Sequence, residues 1–268
     1  LCLDLSIEAN CRRACEGAVE VYNLAADMGG MGFIERFRVE CLRSILINTH
    51  LIEAAYRAGA RRYFFSSSAC VYNTLLQKDP RVRALKESDA YPAMAERGYG
   101  WEKLLSEMFC QEYWHERGLK TFIARFHNVY GPHGTWDGGR EKAPAALCRK
   151  VIEAVDQGRD TLDIWGSGEQ TRDFIYVGDV VQANLRAMQA GSGETLNISC
   201  GRSCTVNELY RILSDLTGYS GAPRYAPPRP GDIEHSTLAN DRAVRVLGWL
   251  PVYSIRAGLE ITVRNWRI

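Results

Sequence analysis

"RYFFSSSACVY", residues 62–72, is the stretch on which the fold turns. Residues 62–67 carry Tyr63, Phe64 and Phe65 in succession, with no charge after the first position. That composition suits a strand buried on both faces of a parallel sheet. Three serines close the run, and a thiol, Cys70, follows just past the strand end. In open α/β sheets this edge is where ligands bind. The periodicity alternates outward from here. Residues 20–26 (EVYNLAA) read as a strand running into a "DMGGMG" loop. Residues 39–58 repeat apolar side chains at helical spacing, with Gly59 as a stop. Residues 97–116 read as a second helix and residues 120–126 (KTFIARF) as a further strand. Strand, helix, strand, helix, strand implies parallel pairing with right-handed crossovers, an α/β doubly wound sheet of Rossmann type.

After "HNVYGPHG" (127–134) the texture changes. A loop rich in Gly and charge spans 131–142, and a helix follows from Pro144 to about Val155. "ETLNIS" (194–199) reads as another strand, 205–217 as a helix, and 254–266 as a last amphipathic helix. There is no internal repeat, and the Pro/Gly stretches are too short to be linkers. Two interleaved units are expected. One is a cofactor-binding domain of residues 1–130 and 174–203. The other is a smaller substrate lobe of residues 131–173 and 204–268.

The totals exclude several function classes. The chain has 268 residues, 46% of them hydrophobic, and a formal net charge of +1. That charge gives no case for nucleic acid or an acidic membrane as partner. No apolar run approaches the ~20 residues of a membrane span, and Asp4 and Glu8 interrupt what a signal peptide would need. The nine cysteines include C-x3-C pairs but no C-x2-C pair, so a metal site is not expected. Reduced thiols in a cytoplasmic protein fit that odd count. The first residues read as the end of a strand, and the chain as a fragment.

Tyr99 and Lys103 in "GYGWEK" lie four apart, one turn apart on one helix face. An ammonium beside a phenol favours the phenolate and lowers a pKa of ~10. Such a group can take a proton from a sugar hydroxyl. Alone, the pair reads as a solvated helix surface, Cys70 as a structural thiol and Lys142 as a loop charge. Their joint occurrence with "SSSACVY" and "RFHNVYGP" changes that reading. Together these motifs resemble the extended short-chain dehydrogenase/reductase superfamily of nucleotide-sugar enzymes, across nearly the whole chain. "NLAADMGGMGF", "RFHNVYGPHGTWDGGREKAPAALCRK" and "WGSGEQTR" further resemble the GDP-mannose 3,5-epimerase family.

The resemblance implies NAD as cofactor, GDP-mannose as substrate, and epimerisation at C3 and C5 through transient oxidation at C4. GDP-L-galactose would be the product and GDP-L-gulose a side product. It implies a catalytic set of Ser68, Tyr99, Lys103, Cys70 and Lys142, with the last two as an acid/base pair. Cofactor contacts would be Asp4, Ala25, Tyr99 and Lys103. The substrate site would take Gly29, Ser68, Ala69, Cys70, Asn128, Glu141, Lys142, Ala143, Lys150, Gln170, Thr171 and Arg172. The small residues of "DMGGMG" would let a sugar approach closely. A homodimer through residues 39–58 and 97–116 is also implied. Where the family carries an arginine, this chain has "GDIEHS" (231–236), so Arg224 or Arg229 would have to substitute. The Gly-rich turn that cradles NAD pyrophosphate is not in the sequence, which begins about one β-α-β unit into the fold. Two alternatives stay open: another nucleotide-sugar 4-epimerase or dehydratase, or a truncated, non-catalytic nucleotide-sugar-binding protein.

Overall fold

A computed structural model describes residues 1–77, 84–190, 193–228 and 234–266. Helix α1 (Glu8–Cys15) precedes strand β1 (Glu20–Asn23), and the short α2 (Met31–Arg36) leads into α3 (Arg38–Arg57). Then come β2 (Arg62–Ser68), α4 (Tyr99–Arg117) and β3 (Lys120–Phe126). The small strand β4 (Asn128–Tyr130) opens the second half, followed by α5 (Ala143–Asp156), β5 (Thr161–Trp165), β6 (Thr171–Arg172) and β7 (Phe174–Tyr176). Helix α6 (Val177–Gln189), β8 (Glu194–Ile198), β9 (Cys204–Thr205), α7 (Val206–Thr217) and β10 (Ala222–Ala226) continue it. The described chain ends with β11 (His235–Ser236), α8 (Asp241–Leu247) and α9 (Ile255–Trp266).

The central sheet runs β1-β2-β3-β8, every pair parallel. This is the expected doubly wound arrangement. Alternation along β2 decides what each face buries. Tyr63 and Phe65 pack with Leu51, Ile52 and Ala55 of α3, Cys110 of α4 and both cysteines of α1. Phe64 points the other way, against Phe122 and the Val180, Ala183 and Met188 side of α6. Ala243, Leu247 and Trp249 join that second face. Burying each such aromatic or aliphatic side chain contributes about 1.5–3 kcal/mol. A further core lies between α5, α7 and α9, with Leu147, Val151, Leu209, Leu213, Leu259 and Val263 at its centre.

Element ends follow local chemistry. Helix α4 stops where Gly118 enters the left-handed region at φ 70°. Helix α7 starts where the Thr205 side chain accepts the Glu208 amide at 2.9 Å. One expectation is corrected. Residues 1–4 form no strand. The Asp4 carboxylate instead accepts the Ser6 amide at 2.9 Å and its hydroxyl at 2.7 Å, closing a turn before α1.

Candidate active site

The C-terminal edge of β2 is held from below. Ser67 Oγ donates to Glu107 Oε1 of α4. Arg125 of β3 grips both Glu107 oxygens, at 2.9 and 2.6 Å, in a buried bidentate pair. Above this anchor the Ser68 side chain accepts the Cys70 amide at 3.2 Å and caps the turn Ala69–Val71. The Cys70 carbonyl then accepts the Glu96 amide at 3.0 Å, and Glu96 Oε2 accepts the Gly100 amide at 3.0 Å. The thiol turn and the start of α4 are therefore tied to each other.

Gly100 makes the tie possible. A Cβ there would sit 2.2 Å from the Cys70 carbonyl oxygen. Gly100→Ala must push the two backbones apart, at a cost of about 2 kcal/mol by the usual scale of overpacking. The expected drop in melting temperature is about 4–8 °C, read by differential scanning calorimetry.

Gly29, Ser68, Ala69, Cys70, Tyr99, Asn128, Lys142 and Arg172 all line one open cleft at this edge. Met28, Ile34, Thr74, Gln77, Glu96, Phe126, His127 and Ser236 line it too, and none of these was singled out from sequence. Glu96 stands three residues before Tyr99 and could have been found with it. Gln77 and Ser236 are 159 residues apart, and no local pattern joins them.

The second wall is the loop before α5. Its backbone crosses the "DMGGMG" loop, where the Gly30 amide donates to the Arg140 carbonyl at 3.0 Å. The Arg140 guanidinium lies 4.0 Å over the Phe33 ring and donates to Asp27 Oδ1 at 2.6 Å. Cβ atoms on Gly29 and Gly30 would meet Phe33 at 2.8 Å and the Glu141 carbonyl at 2.6 Å. Beyond any close approach of a ligand, the two glycines make room for Phe33 and for the crossing loop. The crossing sets Lys142 at the N-cap of α5, its side chain unused as a cap, in the cleft with Cys70.

Charge states follow burial. Desolvation pushes the Cys70 thiol up, and Glu96 adds to this; Ser68, Lys142 and Lys103 oppose it. Desolvation pulls the Lys142 ammonium down, against the pull of Cys70. Tyr99 was expected to be lowered by Lys103. It is instead held well above the ordinary phenol range by burial, then by Cys70 and Glu102. The Lys103 ammonium, itself lowered by burial, sits over the rings of Phe65 and Tyr99 at 4.7 and 5.5 Å and 3.9 Å from Glu102 Oε2. Burial of the phenol outweighs that neighbouring charge.

Apart from Arg172, the remaining expected residues among those described lie outside the cleft lining. Glu141 adjoins it, with Oε2 buried and no hydrogen-bond partner. Ala143 is the first residue of α5 and exposed. Lys150 Nζ donates to the Asp163 carbonyl at 2.8 Å, Gln170 Nε2 to the Trp165 carbonyl at 2.7 Å, and Thr171 Oγ1 meets His235 Nδ1 at 3.0 Å. Arg172 reaches the carbonyls of Thr171 and Glu234 from the rim. Arg224 is paired with Asp163 on the exposed β10–β5 edge. Arg229 lies outside the described residues. Ala25 follows β1, its amide on Asn23 Oδ1, and Asp4 keeps to its turn by α1; neither lines the cleft.

The floor is a buried polar chain. His127 Nδ1 lies 2.7 Å from the Asp173 carbonyl, and Nε2 lies 2.8 Å from Ser236 Oγ. Ser236 Oγ lies 2.9 Å from the Gln77 side chain at the atom placed as Oε1, and the Asn128 side chain lies 2.9 Å from His127 Nδ1 at the atom placed as Nδ2. Burial drives His127 down to about 3, so its ring is neutral. The Asp173 carboxylate accepts the amides of Cys200 and Gly201, each at 2.9 Å.

Residues 2–199 match the model of the NAD dependent epimerase/dehydratase family. The chain belongs to that family. Within it, the chain is 39% identical to GDP-mannose 3,5-epimerase of Arabidopsis thaliana over 261 residues, 97% of this chain and 68% of that protein. It is 30% identical to UDP-glucose 4-epimerase of Mycolicibacterium smegmatis, over 92% of this chain and 75% of that one. The crystal structure of UDP-glucose 4-epimerase from Thermotoga maritima with UDP-glucose superposes with a TM-score of 0.89 at 30% identity, covering 99% of this chain and 83% of that one. The family is NAD-dependent, and the chain is an enzyme of the extended short-chain dehydrogenase/reductase type. The nicotinamide half of NAD fits what this chain provides. Ser68, Tyr99 and the small residues of the cleft meet at the C-terminal edge of β2, with buried Lys103 directly beneath.

Proposed function

We propose that the enzyme epimerises GDP-mannose at C3 and C5 after transient oxidation at C4, forming GDP-L-galactose, with GDP-L-gulose as side product. One observation carries the reading. Cys70 and Lys142 face the same cleft as Tyr99, although they come from different loops 72 positions apart in sequence. The greater identity to the Arabidopsis 3,5-epimerase than to the 4-epimerases supports it.

Protons on C3 and C5 of a hexose are too weakly acidic to remove until C4 is a ketone. NAD, when bound, supplies the hydride chemistry at C4. Tyr99 moves the C4 hydroxyl proton, with Ser68 beside it and Lys103 holding positive charge beneath the ring. Cys70 as thiolate removes a proton from one face of the adjacent carbon, and Lys142 as ammonium returns one from the other. Ala25 and Asp4 would contact the cofactor on the β1 side. Gly29, Ala69, Asn128, Glu141, Ala143, Gln170 and Thr171 would surround the nucleotide sugar, with Lys150 and Arg172 facing its diphosphate. All nine cysteines are unbridged thiols, which suits a reducing, cytoplasmic setting. No helix among the described residues is long and apolar enough to cross a membrane.

The test is incubation with NAD and GDP-mannose or UDP-glucose, with chromatographic separation of products. GDP-L-galactose is expected from the first and no UDP-galactose from the second. UDP-galactose alone would favour a 4-epimerase, which needs Tyr99 but neither Cys70 nor Lys142.

A homodimer is part of the proposal. Val39, Leu42 and Leu46 of α3 are exposed at helical spacing, as are Trp101, Leu105 and Met108 of α4. The two helices pack against each other, and exposed apolar stripes of this kind favour an interface. Light scattering at micromolar concentration should give twice the chain mass, and Leu46→Glu with Leu105→Glu should return it to one.

A further inference from the structure

Hydrogen-bond valence along the cleft floor fixes more than the distances alone. Two arrangements compete for the neutral His127 ring, since amide oxygen and nitrogen can be exchanged by rotation. If Nε2 carries the proton, it donates to Ser236, which donates on to the Gln77 carbonyl. Nδ1 then accepts from Asn128. That leaves the bare Nδ1 lone pair 2.7 Å from the Asp173 carbonyl oxygen, an acceptor against an acceptor at the shortest of these four contacts. If Nδ1 carries the proton, it donates to that carbonyl, and the short contact becomes a hydrogen bond. Nε2 must then accept from Ser236. The Ser236 hydroxyl has one proton, so Gln77 must face it with its amide nitrogen. Asn128 likewise turns its oxygen to Nδ1. Gln77, His127 and Ser236 are each at most 5% exposed, and together with Asn128 they line the cleft. An unmet donor or acceptor among them would carry the full desolvation penalty of a buried polar group.

We propose that Gln77 is a recognition residue of the cleft, held by Ser236 and His127 so that its carbonyl oxygen faces the ligand as an acceptor for a hexose hydroxyl. Asn128 is held in the complementary sense, with its amide nitrogen facing the ligand as donor. A sugar hydroxyl bridging the two would be read in a single orientation, which is what an enzyme that inverts ring carbons requires of its anchoring contacts. The recognition role rests on the nucleotide-sugar reading of this cleft; the orientation of the amides does not.

The experiment is 15N NMR of the whole chain labelled at histidine, with the His127 signals assigned by their shift in Ser236→Ala. It is paired with calorimetric binding of GDP-mannose to the parent and to Gln77→Leu. A neutral ring protonated at Nδ1, unchanged in Gln77→Leu, together with about tenfold weaker binding by that variant, is the expected result. A ring protonated at Nε2, or at both nitrogens near pH 7, would overturn the orientation and the proposal with it. An Nδ1-protonated ring with equal binding by Gln77→Leu would overturn the recognition role. If the parent binds neither GDP-mannose nor UDP-glucose, the nucleotide-sugar reading and the recognition role fail together, while the ring signals still decide the orientation.

Discussion

Tyr99→Phe should leave the protein folded and lower conversion of GDP-mannose by about 10²–10⁴-fold, the usual scale for losing a positioned acid or base. The substitution removes one oxygen from a side chain whose ring stays packed. Tyr99 is 4% exposed, against Phe33, Ile34 and Cys41, so far-ultraviolet circular dichroism should be unchanged. Among the cleft residues Tyr99 alone joins a phenol to a buried lysine one turn below. In the proposed mechanism Tyr99 is the group that exchanges the C4 hydroxyl proton, so its loss should be felt at that step. A variant retaining more than a tenth of parental turnover would remove Tyr99 from that role.

Cys70→Ala should have a comparable effect on a different step. Chemistry at C4 should survive, while epimerisation at C3 and C5 falls by at least about 10²-fold. The pH profile gives a second signature. The proposed mechanism requires the Cys70 thiolate and the Lys142 ammonium together. Burial raises the first from an ordinary 9.0 and lowers the second from 10.5, so the two titrations move towards each other. The rate should climb as pH rises above 7, because more Cys70 loses its proton. It should fall again once Lys142 does, giving a narrow bell on the alkaline side. Removing Glu96's charge with Glu96→Gln should move the rising limb to lower pH, since that carboxylate opposes the thiolate. An unchanged limb would deny Cys70 the role of base.

Much of this was legible in the sequence, for identifiable reasons. Alternation between a period of two and a period of 3.6 gave β2, α3, α4 and β3 to within a residue or two, because both faces of the sheet are buried and the pattern is unbroken. Tyr99 and Lys103 could be paired because a helix puts i and i+4 on one face. Cys70 and Lys142 could not be joined by spacing, since only the docking of the Arg140 loop on Phe33 and Gly30 brings them together. That same docking is why the packing role of Gly29 and Gly30 was not legible. Arg140 and Glu141, which crowd them, come from a loop more than a hundred residues away. The direction of the Tyr99 shift was misjudged because the sequence shows a nearby charge but not how deeply the ring is buried. Gln77 and Ser236 left no trace at all, because they stand 159 positions apart and meet only in the folded chain.

The most direct test of the central claim is deuterium uptake by GDP-mannose, incubated with the enzyme and NAD in D2O and read by mass spectrometry and NMR. Label at C5 and C3, absent with Cys70→Ala, is the predicted result. Tight binding of GDP-mannose without label at either carbon, or label that persists in Cys70→Ala, would contradict the account.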